Sequence, residues 1–158
     1  MLQLLLSVTI SVSAQIAHGQ NTVLQIHNST PQLELRDQHD AVWDIPANTK
    51  LILFSASRDA NTLVQEVLST KPVDYLETRK VVYFSDMSKM PGFITRTFAL
   101  PSMRDLPYRV GVVLDAKDAE IWPRRDGAIT AVYLENQKIT RIEFIEQSAT
   151  LSEVLERM

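Results

Sequence analysis

The middle of the chain alternates between continuous apolar runs and segments in which apolar residues recur at helical spacing. Leu51 to Phe54 is an uninterrupted apolar run, which is typical of a strand covered on both faces. A helix is predicted from about Asp59 to Thr70, and its apolar positions are Leu63, Val64, Val67 and Leu68. Val81 to Phe84 is a second apolar run. The pattern therefore predicts a β-α-β unit with two buried, parallel strands.

A second helix, a loop and a third strand are predicted after this unit. The helix spans Ser88 to Leu100, and Pro101 is expected to end it because proline cannot continue a helix. Met103 to Leu106 is predicted to be a loop, and Tyr108 to Leu114 a strand that starts directly after Pro107. The apolar side of the helix consists of Phe93, Ile94, Thr97 and Phe98.

Antiparallel pairs are predicted in two places along the chain. Leu33 to Trp43 contains two short extended pieces around a polar turn, which predicts a small hairpin. Ile129 to Leu134 and Lys138 to Ile145 form a second pair around a short polar connection. A closing helix follows, in which Thr150 and Glu153 have the spacing of a capping box. Its apolar stripe is Leu151, Val154, Leu155 and Met158.

Length, charge and residue usage restrict what the chain can do. Its 158 residues, 45% of them hydrophobic, suit one globular domain, predicted for residues 33–158. The formal net charge is −3 and the basic residues are scattered, so no nucleic-acid partner is predicted. The chain contains no cysteine, which excludes disulfides, thiolate metal sites, thiol peroxidase chemistry and dithiol exchange.

The amino terminus has the pattern of an export signal. Leu2 to Val12 is almost wholly apolar, and small residues before Gln20 predict cleavage there, leaving no membrane span. Residues 1–19 are expected to be a signal peptide and residues 20–32 a polar lead-in, with the protein exported to the periplasm. Because no Lys or Arg precedes the apolar run, an uncleaved membrane anchor and a buried amino-terminal helix stay open as alternatives.

The predicted order of elements and three short segments resemble the thioredoxin-like fold. LILFSAS at 51–57 is similar to the strand before the family's redox loop, and RDANTLVQEVL at 58–68 to the helix after it. RDLPYRVGVVLD at 104–115 is similar to the segment in which a cis proline precedes an antiparallel strand. The resemblance implies an α/β protein with a central mixed sheet and helices on both faces. More narrowly, the chain is similar to small exported thioredoxin-like proteins of Gram-negative bacteria that have no established role.

The resemblance also implies a position for the family's reactive thiolate. In the family this thiolate lies at the amino end of the first long helix, where the helix dipole lowers its pKa. The equivalent positions lie within Ser57 to Thr62, and none of them can form a thiolate. The chain is therefore expected to keep the fold and to lack thiol-disulfide oxidoreductase and thiol peroxidase activity.

A binding surface is predicted where this loop meets the segment around Pro107. Backbone N–H groups at the helix start suit an anion, whereas capping by Ser57 or Asp59 is the alternative interpretation. If Pro107 is cis, as the resemblance implies, its neighbours lie beside the loop and can pair with an extended peptide. Otherwise Pro107 only starts a strand. The predicted surface consists of Ser57, Arg58, Asp59, Asn61, Arg104, Leu106, Pro107 and Tyr108.

Methionines and histidines are the remaining candidates for metal binding. Thioether sulfurs bind cuprous copper, and Met87 and Met90 are predicted to share a helix face, with Met103 as a third ligand; core packing is the alternative. His27 and His39 lack a partner at metal-ligand spacing and are interpreted as surface residues. Neither a GxSxG nor a GxGxxG motif occurs, so no serine hydrolase and no flavin or other cofactor is predicted.

The residues together favour a redox-inactive binding module whose partner is a protein or a peptide. Two alternatives stay open. One is a non-thiol enzyme or copper carrier that uses Met87, Met90, Met103 and Arg104. The other is a scaffold in which an edge of the sheet pairs with another subunit.

Overall fold

The elements of the computed structural model follow the predicted order. The structure describes residues 23–33 and 35–158, so the predicted signal peptide lies outside the described residues. Within those two ranges, no helix combines the length and the apolar character that crossing a bilayer requires. The elements are β1 (Leu35–Asp37), β2 (Val42–Trp43), β3 (Leu51–Ser55), α1 (Arg58–Leu68), α2 (Tyr75–Thr78), β4 (Val81–Asp86), α3 (Gly92–Ile94), a π-helical turn (Thr95–Ala99), α4 (Leu100–Arg104), β5 (Gly111–Val113), α5 (Ala116–Glu120), β6 (Ile129–Glu135), β7 (Lys138–Ile145) and α6 (Ser148–Glu156).

A seven-stranded mixed sheet forms the centre of the protein. Its strand order is β2-β1-β5-β4-β3-β6-β7. β3 and β4 are parallel and in register up to the pair of Ser55 and Ser85, and β6 runs antiparallel to β3 on the other side. The predicted parallel pair and the predicted antiparallel pair of β6 and β7 are both confirmed.

The two central strands are apolar up to Phe54 and Phe84 because both faces of the sheet are covered there. Leu51 and Leu53 point into a core formed with α1 and α6. Ile52 and Phe54 point into a second core on the opposite face, where the Phe54 ring stacks on Trp122 with centroids 5.2 Å apart. Successive side chains of a strand point to opposite faces, so a strand buried on both sides has no polar positions to alternate with.

Tight turns join neighbouring strands, and residues before β1 contact the sheet. Asn136 and Gln137, between β6 and β7, both have positive φ, at 50° and 62°, which is the geometry of a two-residue hairpin turn. The predicted hairpin of β1 and β2 is present. Ser29, in the lead-in, forms a bridge with Lys138 at the start of β7, and the side chain of Leu24 is buried in the second core.

The helix after β4 begins and ends four residues later than predicted. α3, the π-helical turn and α4 follow one another without a break, and we refer to residues 92–104 as the bulged helix. The prediction that Pro101 ends this helix is wrong. A proline ring in a regular helix clashes with the carbonyl four residues earlier and lacks an N–H to donate. The wider turn just before Pro101, in which Leu100 N donates to the Thr95 carbonyl, relieves both problems.

The predicted strand from Tyr108 to Leu114 is shorter in the structure. Only Gly111–Val113 is a strand, and it is parallel to β4 and antiparallel to β1. Before it, the Gln38 side chain takes the place of a strand partner. Its Nε2 donates to the Tyr108 carbonyl at 2.8 Å, and its Oε1 accepts from Val110 N at 2.9 Å. A side-chain amide thus satisfies the backbone hydrogen-bonding groups of a segment that the sequence pattern assigned to a strand.

Three smaller features differ from the predicted pattern. The short helices α2 and α5 occupy segments for which no element was predicted, and Asp115 caps α5 by accepting from Lys117 N at 2.8 Å. α6 begins at Ser148 with Gln147 at the N-cap, so Thr150 and Glu153 do not form a capping box. The burial of Leu151 and Leu155 in the core is as predicted.

Candidate functional site

The carboxyl end of β3 leads directly into the amino end of α1. The Ser57 side chain caps the helix, since its Oγ accepts a hydrogen bond from Ala60 N at 3.2 Å. Arg58 and Asp59 are exposed to solvent. The capping interpretation of this loop is therefore confirmed, and Ser57 rather than Asp59 is the capping residue.

One amide oxygen joins the ends of β3, β4 and α1. Asn61 Oδ1 accepts hydrogen bonds from Ser55 Oγ at 2.7 Å, from Tyr83 Oη at 2.5 Å and from Ser85 Oγ at 3.0 Å. Ser55 Oγ and Tyr83 Oη also lie 2.8 Å apart. The Asn61 amide nitrogen donates to the Ser57 carbonyl at 3.0 Å. We refer to Ser55, Asn61, Tyr83 and Ser85 as the hydroxyl–amide cluster, which fixes the first turn of α1 to the two central strands.

A cavity of about 150 Å³ lies against this cluster, between α1 and the bulged helix. It opens at the carboxyl ends of parallel strands, the position at which open α/β sheets bind ligands. We refer to it as the Tyr108 cavity. Its lining residues are Asn61, Gln65, Tyr83, Ser85, Met87, Ala99, Ser102, Met103, Leu106 and Tyr108. None of these side chains carries a charge.

Among the hydroxyl groups of the residues that line this cavity, only that of Tyr108 has no hydrogen-bond partner in the described chain. Tyr108 is only 4% exposed, and its Oη is buried without a hydrogen-bond partner among the described residues. Burial raises the pKa of Tyr108 to about 12, and burial also raises the pKa of Tyr83, against a smaller lowering by its hydrogen bond to Ser55. Both hydroxyls therefore stay protonated at neutral pH. A buried hydroxyl without a partner costs about 1 to 3 kcal/mol, which a ligand that accepts its hydrogen bond would recover.

The structure brings three of the eight predicted surface residues together in the Tyr108 cavity, namely Asn61, Leu106 and Tyr108. Pro107 is exposed, and its peptide bond is not cis, since no cis bond occurs in residues 23–33 and 35–158. Arg104 donates from Nε to the Gln38 carbonyl at 3.2 Å and faces a separate groove. The predicted pairing of a peptide with a cis-proline loop therefore has no counterpart at Pro107.

Sequence reasoning missed Ser55, Tyr83 and Ser85. A signal for two of them was present, since both apolar runs end in phenylalanine followed by serine, and parallel pairing places the two serines side by side. Tyr83 carried no separate signal, because within an apolar run a tyrosine is indistinguishable from core.

The predicted metal candidates do not converge on one place. Met87 and Met90 lie in the turn before the bulged helix, so the prediction that they share a helix face is wrong. Met87 and Met103 line the Tyr108 cavity, and Met87 and Met90 line the neighbouring groove, so the three methionines do not share one site. His27 and His39 are exposed, as predicted. In the part of the chain that the structure describes, no three His, Asp or Glu side chains cluster as a metal site. The copper-carrier alternative stays a prediction.

The apolar side predicted for the bulged helix is exposed to solvent. Phe93 is 70% exposed and Phe98 is 60% exposed, and their rings contact each other edge to face with centroids 6.3 Å apart. Met90 and Ile94 are exposed beside them. An exposed cluster of large apolar side chains is typical of an interaction surface.

A second cavity, of about 250 Å³, lies at the opposite, amino ends of β3 and β4. Trp43, Lys80 and Arg109 line it, together with Thr49, whose Oγ1 is also buried without a partner within the described ranges. Arg109 is already engaged, because its Nε donates to Asp37 at 2.9 Å and its guanidinium lies over the Trp43 ring. This cavity is distant from the helix start at which the fold concentrates chemistry.

Comparison with known proteins identifies the fold through solved structures. No protein-family model matches the chain, and no curated protein sequence matches it. Solved structures do match. The provisionally named thiol:disulfide interchange protein DsbE of Chlorobium tepidum superimposes with a TM-score of 0.56 at 11% identity, covering 85% of this chain and 94% of that one. The fold is thioredoxin-like.

Two further thioredoxin-like neighbours agree. The peroxidoxin BcpB of Mycobacterium tuberculosis gives a TM-score of 0.54 at 9% identity, and the thioredoxin domain of a thiol-disulfide oxidoreductase of Bacteroides vulgatus gives 0.53 at 10%. Each comparison covers 85% of this chain and 97% of the other. These neighbours are named for thiol chemistry, whereas this chain has no cysteine. At identities this low the superposition establishes the fold alone, and the activity must be argued from the site.

The thioredoxin-like fold also corrects the assignment of the proline segment. The resemblance placed residues 104–115 before an antiparallel strand. The strand that runs antiparallel beside β3 is β6, and the residue before β6 is Ala128. The segment after Pro107 instead joins the parallel side of the sheet. The resemblance carried by the strand and helix at 51–68 is confirmed, and the resemblance at 104–115 is wrong.

Proposed function

We propose that the protein is a redox-inactive thioredoxin-like module that binds a peptide segment of a partner protein at the Tyr108 cavity. The size of the cavity carries this proposal. A volume of about 150 Å³ corresponds to about five water molecules at roughly 30 Å³ each. Pockets for small-molecule ligands are typically about 300 to 1,000 Å³. The cavity therefore suits one inserted side chain better than a whole small substrate.

The cavity is built for recognition rather than for nucleophilic chemistry. An activated serine needs a general base within hydrogen-bond reach. Ser55 and Ser85 have hydroxyl, amide and backbone-carbonyl partners, and no histidine or carboxylate is among the partners that the described residues provide. The same side chains have clear structural roles in holding α1 against the sheet. A binding role requires no further group, whereas a hydrolase would.

Surfaces next to the cavity are suited to a longer contact. Met87 lines both the Tyr108 cavity and a groove of about 540 Å³ between the bulged helix and β1. The exposed rings of Phe93 and Phe98 lie on the outer face of the same helix. An inserted side chain would anchor the partner, and the groove that meets the cavity at Met87 would hold the chain next to the anchor.

Export is part of the proposal. The apolar pattern of residues 1–19 supports a signal peptide and a periplasmic location. Fractionation of the producing cell, followed by amino-terminal sequencing of the protein from the periplasm, tests this. A sequence that starts at Gln20 is expected. Recovery of the chain in the cytoplasm with Met1 retained would exclude export.

Selection from a random peptide display library tests the binding function. The library is selected on the immobilised wild type, and enriched peptides are then titrated against Ser102→Trp. Ser102 is exposed and lines the cavity, so an indole there should block the opening without disturbing the core. The expected result is at least a tenfold loss of affinity. Ser69→Trp, an exposed position just after the other end of α1, is the matched control and should bind as the wild type does.

Two results would refute the proposed function. One is that no peptide is enriched over a resin without protein. The other is that enriched peptides bind Ser102→Trp and Ser69→Trp equally well, which would place their contact elsewhere.

A further inference from the structure

We infer that the Tyr108 cavity selects an uncharged side chain that carries a carboxamide, such as that of asparagine or glutamine. This inference rests on the proposed function and specifies the chemistry of its ligand. It follows from a comparison of the hydroxyl groups of the lining residues. All of them but one already have an acceptor for their hydrogen bond.

Every hydroxyl donor that borders the cavity has an acceptor except one. Ser85 and Tyr83 donate to Asn61 Oδ1, and Ser102 Oγ donates to the Ala99 carbonyl at 2.8 Å. The Tyr108 hydroxyl has no acceptor in the described chain. A ligand that brings an acceptor would satisfy this hydroxyl, whereas a group without an acceptor would leave it unsatisfied.

The cavity disfavours a charged ligand of either sign. A carboxylate would receive only neutral donors, from the Tyr108 hydroxyl and the exposed Gln65 amide, and these do not replace the water that it would lose on entry. An ammonium needs several acceptors, yet the Asn61 Oδ1 acceptor at the wall already receives three hydroxyl groups, which leaves the exposed amide oxygen of Gln65. None of the lining side chains supplies a compensating charge. Burial of an unpaired charge costs several kcal/mol, so neutral ligands are favoured.

A carboxamide satisfies both sides of this arrangement. Its carbonyl oxygen accepts from the Tyr108 hydroxyl, and its N–H groups have the lone pairs of the Ser85 and Tyr83 hydroxyl oxygens as acceptors. The methylene groups of asparagine or glutamine meet the apolar part of the wall. That part is formed by Met87, Ala99, Met103 and Leu106. An aliphatic side chain would match the apolar part alone.

Three probes of equal chain length test this chemistry. Propionamide, propionate and propylammonium are titrated into the full protein labelled at its methionine methyl groups, and the NMR signals of Met87 and Met103 are followed. Propionamide is expected to shift both signals in a saturable way. Propionate and propylammonium are expected to bind at least tenfold more weakly. Equal or stronger binding of either charged probe would overturn the inference.

Removal of a single oxygen atom tests the role of Tyr108. Tyr108→Phe keeps the ring and should weaken propionamide binding at least tenfold. Tyr75→Phe is the matched control, because the Tyr75 hydroxyl is also buried without a partner in the described residues but does not line this cavity. It should leave propionamide binding unchanged. Unaltered binding in Tyr108→Phe would overturn the inference.

The inference and the proposed function fail in distinguishable ways. Selected peptides that bind at the cavity without any preference for asparagine or glutamine would refute the inference and leave the binding function intact. Propionamide binding that depends on Tyr108, without any peptide selected, would support the inferred chemistry and refute the peptide-binding function.

Discussion

Replacement of Asn61 by alanine should destabilise the protein by about 2 to 4 kcal/mol. Asn61 Oδ1 is the acceptor that Ser55, Tyr83 and Ser85 share. Without it, Ser55 and Tyr83 can still bond to each other across 2.8 Å, but the Phe84 carbonyl, 3.5 Å from Ser55 Oγ, is too distant to satisfy the second donor of the pair well, and Ser85 becomes another unsatisfied donor. Two buried donors at about 1 to 2 kcal/mol each give the expected loss.

Urea unfolding followed by circular dichroism measures this loss. With a slope of about 2 kcal/mol per molar, the midpoint should fall by roughly 1 to 2 M. Thr62→Ala is the matched control. Thr62 is the next residue of α1 and is exposed, and its hydroxyl bonds only to the Arg58 carbonyl, so its removal should change stability by less than about 0.5 kcal/mol. Equal losses in Asn61→Ala and Thr62→Ala would refute the reasoning.

A double-mutant cycle then separates the cluster from the helix. Ser85→Ala removes one donor and should cost about 1 kcal/mol or less. In that background Asn61→Ala should cost about 1 kcal/mol less than in the wild type, because one of the two orphaned donors is gone. A coupling energy below about 0.3 kcal/mol would mean that Asn61 stabilises α1 without acting as the shared acceptor.

Three further predictions concern packing, ionisation and the exposed face. Gly111→Ala should cost about 1 to 3 kcal/mol in urea unfolding, since an added Cβ would overlap the buried Phe84 ring, and a fully stable variant would contradict this contact. Burial raises the pKa of Tyr108 to about 12 from about 10 in the unfolded chain, so its contribution to stability is present below pH 10 and is lost as pH rises towards 12. Between those pH values the free energy of unfolding of the wild type should fall more steeply than that of Tyr108→Phe, by up to about 1.4 kcal/mol per pH unit. Parallel curves of unfolding free energy against pH would refute the raised pKa of Tyr108. Replacement of Phe93 and Phe98 by serine should change stability by less than about 1 kcal/mol in total and should lower binding of an apolar dye, whereas a large loss of stability would mean that the rings pack in the core.

The central strands could be predicted from sequence because burial on both faces produces an uninterrupted apolar run. Leu51 to Phe54 and Val81 to Phe84 are apolar at every position, and only a sheet covered on both sides tolerates that. The bulged helix differs from the strands in this respect. Its large apolar residues Phe93 and Phe98 face solvent, so the apolar side that the sequence pattern identifies is exposed rather than buried.

The site was only partly predictable because sequence does not give lateral order in a sheet. Asn61 and Tyr108 were named, but for roles in a helix-start loop and a proline segment. Their actual relation arises because β4 lies beside β3 in register, which brings Ser85 and Tyr83 to Asn61. Nothing in the local pattern fixes which neighbour a strand joins, and the strand after Pro107 was for this reason assigned to the wrong side of the sheet.

Chemical-shift mapping of a selected peptide on the labelled wild type tests the central claim most directly. The claim is that this cysteine-free thioredoxin-like protein recognises a partner at the Tyr108 cavity. The amide signals that move should belong to Asn61, to Tyr108 and to the bulged helix around Met103. Shifts confined to β7, the long strand at the open edge of the sheet, with the cavity signals unchanged, would contradict the claim and favour a scaffold that pairs through its edge.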